Sequence, residues 1–398
     1  MKELLQYIKG DKVLWSIAAL LALFSFMPVY SASSNLAYLY GGDGDTSKYL
    51  IKHAVHLVLG FLIIYGVHKV PFNYFKGLSI IMLPFAVVLL VITMAQGTTI
   101  GGANASRWIR VPIVGVSFQT STLAAVVLLS YVARYLAKMV TKEYTFKDTL
   151  LPLWLPVLVV VGFILPANFS TAAIIFVMVT MLVFISGYPL KYLIVIFATG
   201  ALILTMFVLA AKAFPGAFPN RVDTWISRVE SFSSDDDGLK ENYQIERAKI
   251  AIATGGVMGN GPGKSVQKNF LPQSSSDFIY AIIVEEFGLF GAVVIMFFYL
   301  LILARLIIIS HKCDDVFGKL LVLGVGLPIV FQALINMAVA VELFPVTGQT
   351  LPLISSGGTS IWMTCLALGI VLSVSVKVIP KTKKEKEVSP LDTLSEAQ

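Results

Sequence analysis

The chain has 398 residues, 57% of them hydrophobic and only 13% charged, and its mean hydropathy is +0.82. Soluble domains carry about 25% charged residues, so this composition excludes a soluble globular protein and predicts an all-α polytopic membrane protein. The net charge of +7 gives no reason to expect nucleic acid, because the lysines flank apolar stretches and fill a tail, KTKKEKE, suited to anionic lipid headgroups.

A span needs roughly 20 apolar residues. The sequence predicts ten, near 13–33, 50–68, 77–95, 118–137, 151–166, 168–187, 190–211, 278–309, 318–341 and 358–378. The first is read as a retained helix rather than a signal peptide, because further spans follow it. With residues 1–12 inside, 18 of the 30 basic residues fall on the internal side and four in short external loops, as the positive-inside rule requires. Both termini are then cytoplasmic. The membrane domain covers 13–379, and 380–398 reads as a disordered cytoplasmic tail. Cys313, at an inner turn, and Cys365, within a span, read as packing residues.

Taken in order, residues 34–49 form a polar loop without visible chemistry. The loop at 96–117 holds Arg107-Trp108-Ile109-Arg110, two cations beside an aromatic residue on the outer face. It reads either as a headgroup anchor or as a bidentate anion clamp. At the short turn Pro166-Ala167-Asn168-Phe169-Ser170-Thr171, Asn168 and Ser170 suit a helix cap. The large external loop, 212–277, places Trp225, Ile226, Val229 and Phe232 at helical spacing, with Arg221 and Arg228 opposite for part of the turn. Its acidic patch Asp235-Asp236-Asp237 reads as a solvated turn, and ENYQIERAKIAIATGG as an amphipathic helix. GNGPGKS looks like a phosphate loop, but Met258 stands where a Walker motif needs glycine and no strand precedes it. What survives is a set of glycines exposing N–H groups beside Lys264 and Lys268, a pattern that suits an anion. Between the last two spans, ELFPVTGQTLPLISSGGTSIW predicts broken backbone at the outer face and a helix beginning after Gly357-Gly358.

Three acids close the large loop: Asp277 at the mouth of the eighth span, and Glu285 and Glu286 within it. Helical geometry sets Glu285 about 12 Å deeper than Asp277 and within about 80° of its face, so the two are expected to share a cavity. Glu286 points nearly opposite and is expected to pair with a neighbouring helix. Acids at bilayer depth are costly and usually line a site or a pathway. Asp277 reads either as a catalytic group or as a helix cap.

The block TGGVMGNGPGKSVQKNFLPQSSSDFIYAIIVEEFGLFG resembles the most distinctive motif of the SEDS family (shape, elongation, division and sporulation proteins). GANASRWIRV resembles its second outer-loop motif and PVTGQTLPLISSGGTS its last-span entry motif, in the family's order. SVQK with FLP, and the Arg221 and Arg228 pair, are more like the division branch of the family than the elongation branch. The resemblance implies ten helices and polymerisation of lipid II into peptidoglycan glycan strands at the bacterial cytoplasmic membrane, during septal wall synthesis. The transfer inverts the sugar and releases polyprenyl pyrophosphate, with Asp277 as base. Arg107, Arg110, Lys264 and Lys268 are the cation candidates for pyrophosphate, with Mg²⁺ or Mn²⁺ as possible helpers. Glu285, Arg221 and Arg228 complete the substrate-binding candidates. A class B penicillin-binding transpeptidase and other division membrane proteins are the implied partners. The alternatives are a lipid II flippase and an elongation-type polymerase. The chain departs from the family pattern at Asn168, where an acid is usual, at Ser356, where an aromatic is common, and at Glu342, an unexpected acid.

Overall fold

The computed structural model describes residues 9–36, 45–96, 108–110, 117–140, 144–213, 240–271 and 274–387. Within them the chain is almost entirely helical. The helices are α1 (Lys12–Leu36), α2 (Ser47–Val67), α3 (Tyr74–Gln96), α4 (Thr120–Met139), α5 (Phe146–Ile164, with a π-helical turn at Leu150–Trp154), α6 (Phe169–Ile185) and α7 (Leu190–Ala213). After the large loop come α8 (Lys240–Gly255), α9 (Ile279–Lys312), α10 (Val316–Ala340) and α11 (Thr359–Glu387). Each of the ten predicted stretches falls on one of these apolar helices. Among the described residues, eight helices are long and apolar enough to cross a membrane, and α6 and the Leu190–Ile203 part of α7 are shorter apolar helices. The protein is a polytopic all-α membrane protein.

The centre of the bundle is α10, packed against α9, α4, α11 and α6. Helix α2 runs along α11, α1 lies against α9 and α2, and α3 and α5 extend the bundle beyond α4. Residues facing lipid stay apolar and exposed, such as Leu23, Leu62, Ile81, Leu158 and Phe297, whereas the interior carries Leu128, Leu321 and Leu368. This inversion follows from the solvent: hydrocarbon is as apolar as leucine, so packing rather than water exclusion sorts the faces.

At the end of the bundle opposite Asp277, polar side chains tie the helices together. Buried Asp11 caps α1 by accepting from Leu14 N at 2.9 Å, receives Arg305 of α9, and donates its own N–H to Ser375 Oγ of α11 at 2.9 Å. Asp315 caps α10 and pairs with Lys76 at 3.1 Å. Cys313 and Cys365 are free and buried, as a packing role requires, and burial pushes the Cys313 thiol above its ordinary range.

Helix α11 is described as far as Glu387, a run of Lys and Glu being itself helix-forming, and the rest of the expected tail lies outside the described residues. One sequence expectation needs correction here. The 96–117 stretch is not merely a loop: β1 (Trp108–Arg110) pairs antiparallel with β2 (Ser117–Gln119), Arg110 opposite Ser117. The hairpin docks on the start of α11, where Gln119 N donates to Thr359 Oγ1 at 3.2 Å.

Candidate active site

Asp277 lies in a run of turns, 274–278, ahead of α9. The helix starts at Ile279 with Phe278 as its cap residue and no side-chain capping bond, so Asp277 is not the N-cap. The segment is held by the loop between α10 and α11. Ser355 Oγ donates to Ser276 O at 2.6 Å, and Ser356 N donates to Ser275 O at 2.9 Å. From α10, Asn336 Nδ2 donates to both Asp277 O and Gln349 O at 2.7 Å. Asn336, 1% exposed, thus clamps the acid's backbone to the facing loop, while Asp277 itself is partly exposed. Gly348 sits in the left-handed region at φ +66°, and a methyl group there would stand 3.4 Å from Asp277 Oδ2. Glycine therefore serves both the turn and the open space beside the carboxylate.

Below this mouth a cleft runs between α4, α6, α10 and α11. Its polar rim includes Thr171, Gln332, Gln349 and Ser360, and its deeper walls include Ile175 and Met178. Gln349 Nε2 donates to Thr171 Oγ1 at 3.0 Å, and Gln332 Nε2 to Thr350 O at 2.9 Å. Asn168 caps α6, accepting from Thr171 N at 3.2 Å, which is the capping role its residue type predicts. The sequence reading passed over Asn336 and Gln332. Their signal was available, since amides inside an apolar span are as unusual as charges and tend to bridge helices.

Glu285 and Glu286 do different work. Helix α9 is broken at Gly288 (φ 68°, ψ −167°), and the glycine loop after α8 satisfies the opened backbone. Asn260 N donates to Glu285 O at 3.0 Å and Gly261 N to Glu286 O at 2.9 Å, while Leu289 N reaches Gly256 O at 2.9 Å. The chains approach so closely that a Cβ on Gly259 would lie 2.2 Å from Glu286 O. Glu285, 1% exposed, accepts from Ser265 Oγ, from Val266 N at 2.9 Å and from Gln267 N at 3.3 Å. Glu286 accepts from Ser31 Oγ of α1 and from Ser265 N at 3.4 Å. Two expectations change. The N–H groups of Gly259 to Gly261 and of Lys264 to Lys268 are taken by the protein's own acceptors, two buried carboxylates among them, so they are not free for a foreign anion. Glu285 turns its carboxylate to the loop rather than to Asp277, so the shared cavity is not formed. The expected pairing of Glu286 with a neighbouring helix is found, through Ser31.

The cation candidates separate likewise. Lys268 Nζ donates to Gly263 O at 2.8 Å and to Ser31 Oγ at 3.2 Å, so it braces the loop. Lys264 is exposed on the loop. Arg110 ends β1, and Arg107, Arg221, Arg228 and the Trp225–Phe232 stretch lie outside the described residues. Glu342, at φ +60°, pairs with Lys249 of α8 at 2.6 Å, joining that amphipathic helix to the end of α10. Among the described residues no three of His, Cys, Asp and Glu gather as a metal cage.

A family model described as a cell cycle protein, covering FtsW, RodA and SpoVE, matches residues 11–379. The chain is 31% identical over 368 residues to a probable peptidoglycan glycosyltransferase FtsW of Hydrogenovibrio crunogenus, covering 91% of each. It is also 31% identical over 383 residues to one of Geobacter sulfurreducens, covering 95% of this chain and 97% of the relative. Among solved structures it is similar to a chain of a peptidoglycan synthase complex that coordinates polymerization and crosslinking, with a TM-score of 0.71, 26% identity and coverage of 92% and 98%. The rod shape determining protein RodA of Thermus thermophilus aligns with a TM-score of 0.64 and 25% identity, covering 93% of this chain and 97% of that one.

Proposed function

Because this chain belongs to the SEDS family of FtsW, RodA and SpoVE cell-cycle proteins, we propose that it is a peptidoglycan glycosyltransferase that polymerises lipid II. The observation that carries this reading is the position of Asp277. The acid stands partly exposed at one end of the bundle, its backbone clamped by Asn336, beside Gly348 and above an apolar cleft. A lipid-linked sugar needs that combination: a base in a polar mouth and an apolar slot for the polyprenyl tail.

In the proposed reaction an acceptor sugar 4-hydroxyl attacks the anomeric carbon of the donor. The hydroxyl proton passes to the Asp277 carboxylate, the new glycosidic bond forms with inversion, and the bond to pyrophosphate breaks, releasing the lipid pyrophosphate. The 4-hydroxyl is a weak acid, so a positioned carboxylate contributes in the usual range for general bases. Arg107, Arg110 and Lys264 are the proposed partners of the leaving pyrophosphate. Mg²⁺ or Mn²⁺ would take most of its ligands from pyrophosphate and water, as such ions commonly do, and no step is assigned to it.

The orientation proposed puts both termini in the cytoplasm and Asp277 outside, as the lysine placement of the sequence predicts. The septal role, a class B penicillin-binding transpeptidase and other division proteins as partners belong to the same proposal, supported by the FtsW relatives and the synthase-complex neighbour. The test is purified protein supplied with lipid II, with and without a cognate transpeptidase. Glycan chains from the native protein and none from Asp277→Asn are expected. Movement of lipid II across liposomes without chain formation would instead identify a flippase.

A further inference from the structure

The membrane level of α9 can be read from its faces. From Ile279 to Glu286 every residue is buried, whereas large exposed apolar side chains begin at Leu289 and Phe290 and continue at Val293 and Phe297. Beside them on the glycine loop, Val257 and Met258 are 68% and 82% exposed. The rise from Lys312 back to Gly288 is about 36 Å at 1.5 Å per residue, slightly more than the ~30 Å hydrocarbon core. The break in α9 therefore lies at the headgroup level of the leaflet on the Asp277 side.

A crevice of about 250 Å³ opens there between α1, α9 and the glycine loop. Phe24, Met258, Phe287, Phe290 and Val294 are among its walls, and among the described residues Glu286 is its one ionisable lining residue. The volume is several times the ~30 Å³ of a water molecule, so it admits a larger group. Glu286 is 1% exposed, and its Oε1 is taken by Ser31 and Ser265. Its Oε2 is buried with no hydrogen-bond partner among the described residues. A buried carboxylate oxygen left without a donor is costly. The nearby ammonium of Lys268 is engaged by Ser31 Oγ and Gly263 O. A divalent metal would need several oxygen ligands, and one carboxylate in an apolar wall does not supply them. What fits is a single strong donor on a narrow apolar stem, presented at headgroup height.

We propose that this crevice binds the primary ammonium headgroup of a phosphatidylethanolamine-type lipid, with Glu286 Oε2 accepting from the ammonium. The acyl chains would then follow the exposed face of α9 past Phe290, Val293 and Phe297. A choline headgroup has no N–H to donate and is discriminated against.

The test uses the full chain in detergent micelles, titrated with dioleoyl phosphatidylethanolamine or dioleoyl phosphatidylcholine while thermal unfolding is followed. Binding to the folded state raises the midpoint. The native protein should respond to the ethanolamine lipid at roughly tenfold lower concentration than to the choline lipid, the discrimination worth one charge-assisted hydrogen bond. Glu286→Gln should reduce the ethanolamine response to the choline level. Val294→Trp fills the crevice without touching the pairing of Glu286 with Ser31, should do the same, and carries the test alone if Glu286→Gln does not fold. Equal responses of the native protein to the two lipids, or an ethanolamine preference surviving in either folded variant, would overturn the proposal.

Discussion

Asp277 and Glu285 belong to one short stretch, yet their surroundings differ in kind. Glu285 is buried, and both of its oxygens accept from the 265–267 segment. Asp277 is partly exposed, and the bonds from Asn336, Ser355 and Ser356 hold the backbone around it. The first arrangement fixes a fold; the second fixes the position of an acid. An acid within a membrane protein is thus not by itself a sign of chemistry.

The largest expected effect divides the two acids by activity. Asp277→Asn should lower glycan polymerisation from lipid II by about 10²- to 10⁴-fold, with the melting midpoint unchanged, and a variant that keeps making chains would remove Asp277 as the base. Glu285→Ala should do the reverse in its primary effect. It strands Ser265 Oγ and two backbone N–H groups, so unfolding stability should fall by about 3 kcal/mol; a melting curve that matches the native protein would refute the clamp. Gly259→Ala tests the same clamp from the loop side, because its methyl would lie 2.2 Å from Glu286 O. A loss of about 2 kcal/mol or more is expected from the forced backbone shift, read in the same melt.

Asn336→Ala sits between the two classes. It frees two carbonyls and should cost about 1–2 kcal/mol in stability, while turnover falls by more than the folded fraction does, because Asp277 is no longer held. Parallel losses in folded fraction and turnover would make Asn336 merely structural. The smallest effect should come from Lys268→Met, a loss of about 1 kcal/mol from two hydrogen bonds that are partly exposed. Donor use per folded molecule should stay native. A selective loss of donor use would return Lys268 to the pyrophosphate site.

Much of the architecture was legible because hydrocarbon imposes a simple rule: about 20 apolar residues, uninterrupted by charge, are a span. All ten stretches fall on helices, α8 is the amphipathic helix its spacing predicts, and α11 begins just after Gly357-Gly358. The Asn168 cap was equally readable, since capping is local. Asp11 as an interhelical anchor was not, because its partners Arg305 and Ser375 lie hundreds of residues away.

The sequence by itself therefore determined the solvent, the helices, the polar loops and the short roll of acids worth attention. It also carried enough for the family model to match residues 11–379. Only the tertiary structure decided what each acid does. Helical periodicity assigned Glu285 and Asp277 to one face, but that reasoning assumes one unbroken helix beginning at Asp277. The helix begins after Asp277 and is broken at Gly288, and the glycine loop closes that break with its own backbone. Those N–H groups look free in sequence because their acceptors, about 20 residues further along the chain, come within reach only when α8 and α9 pack together.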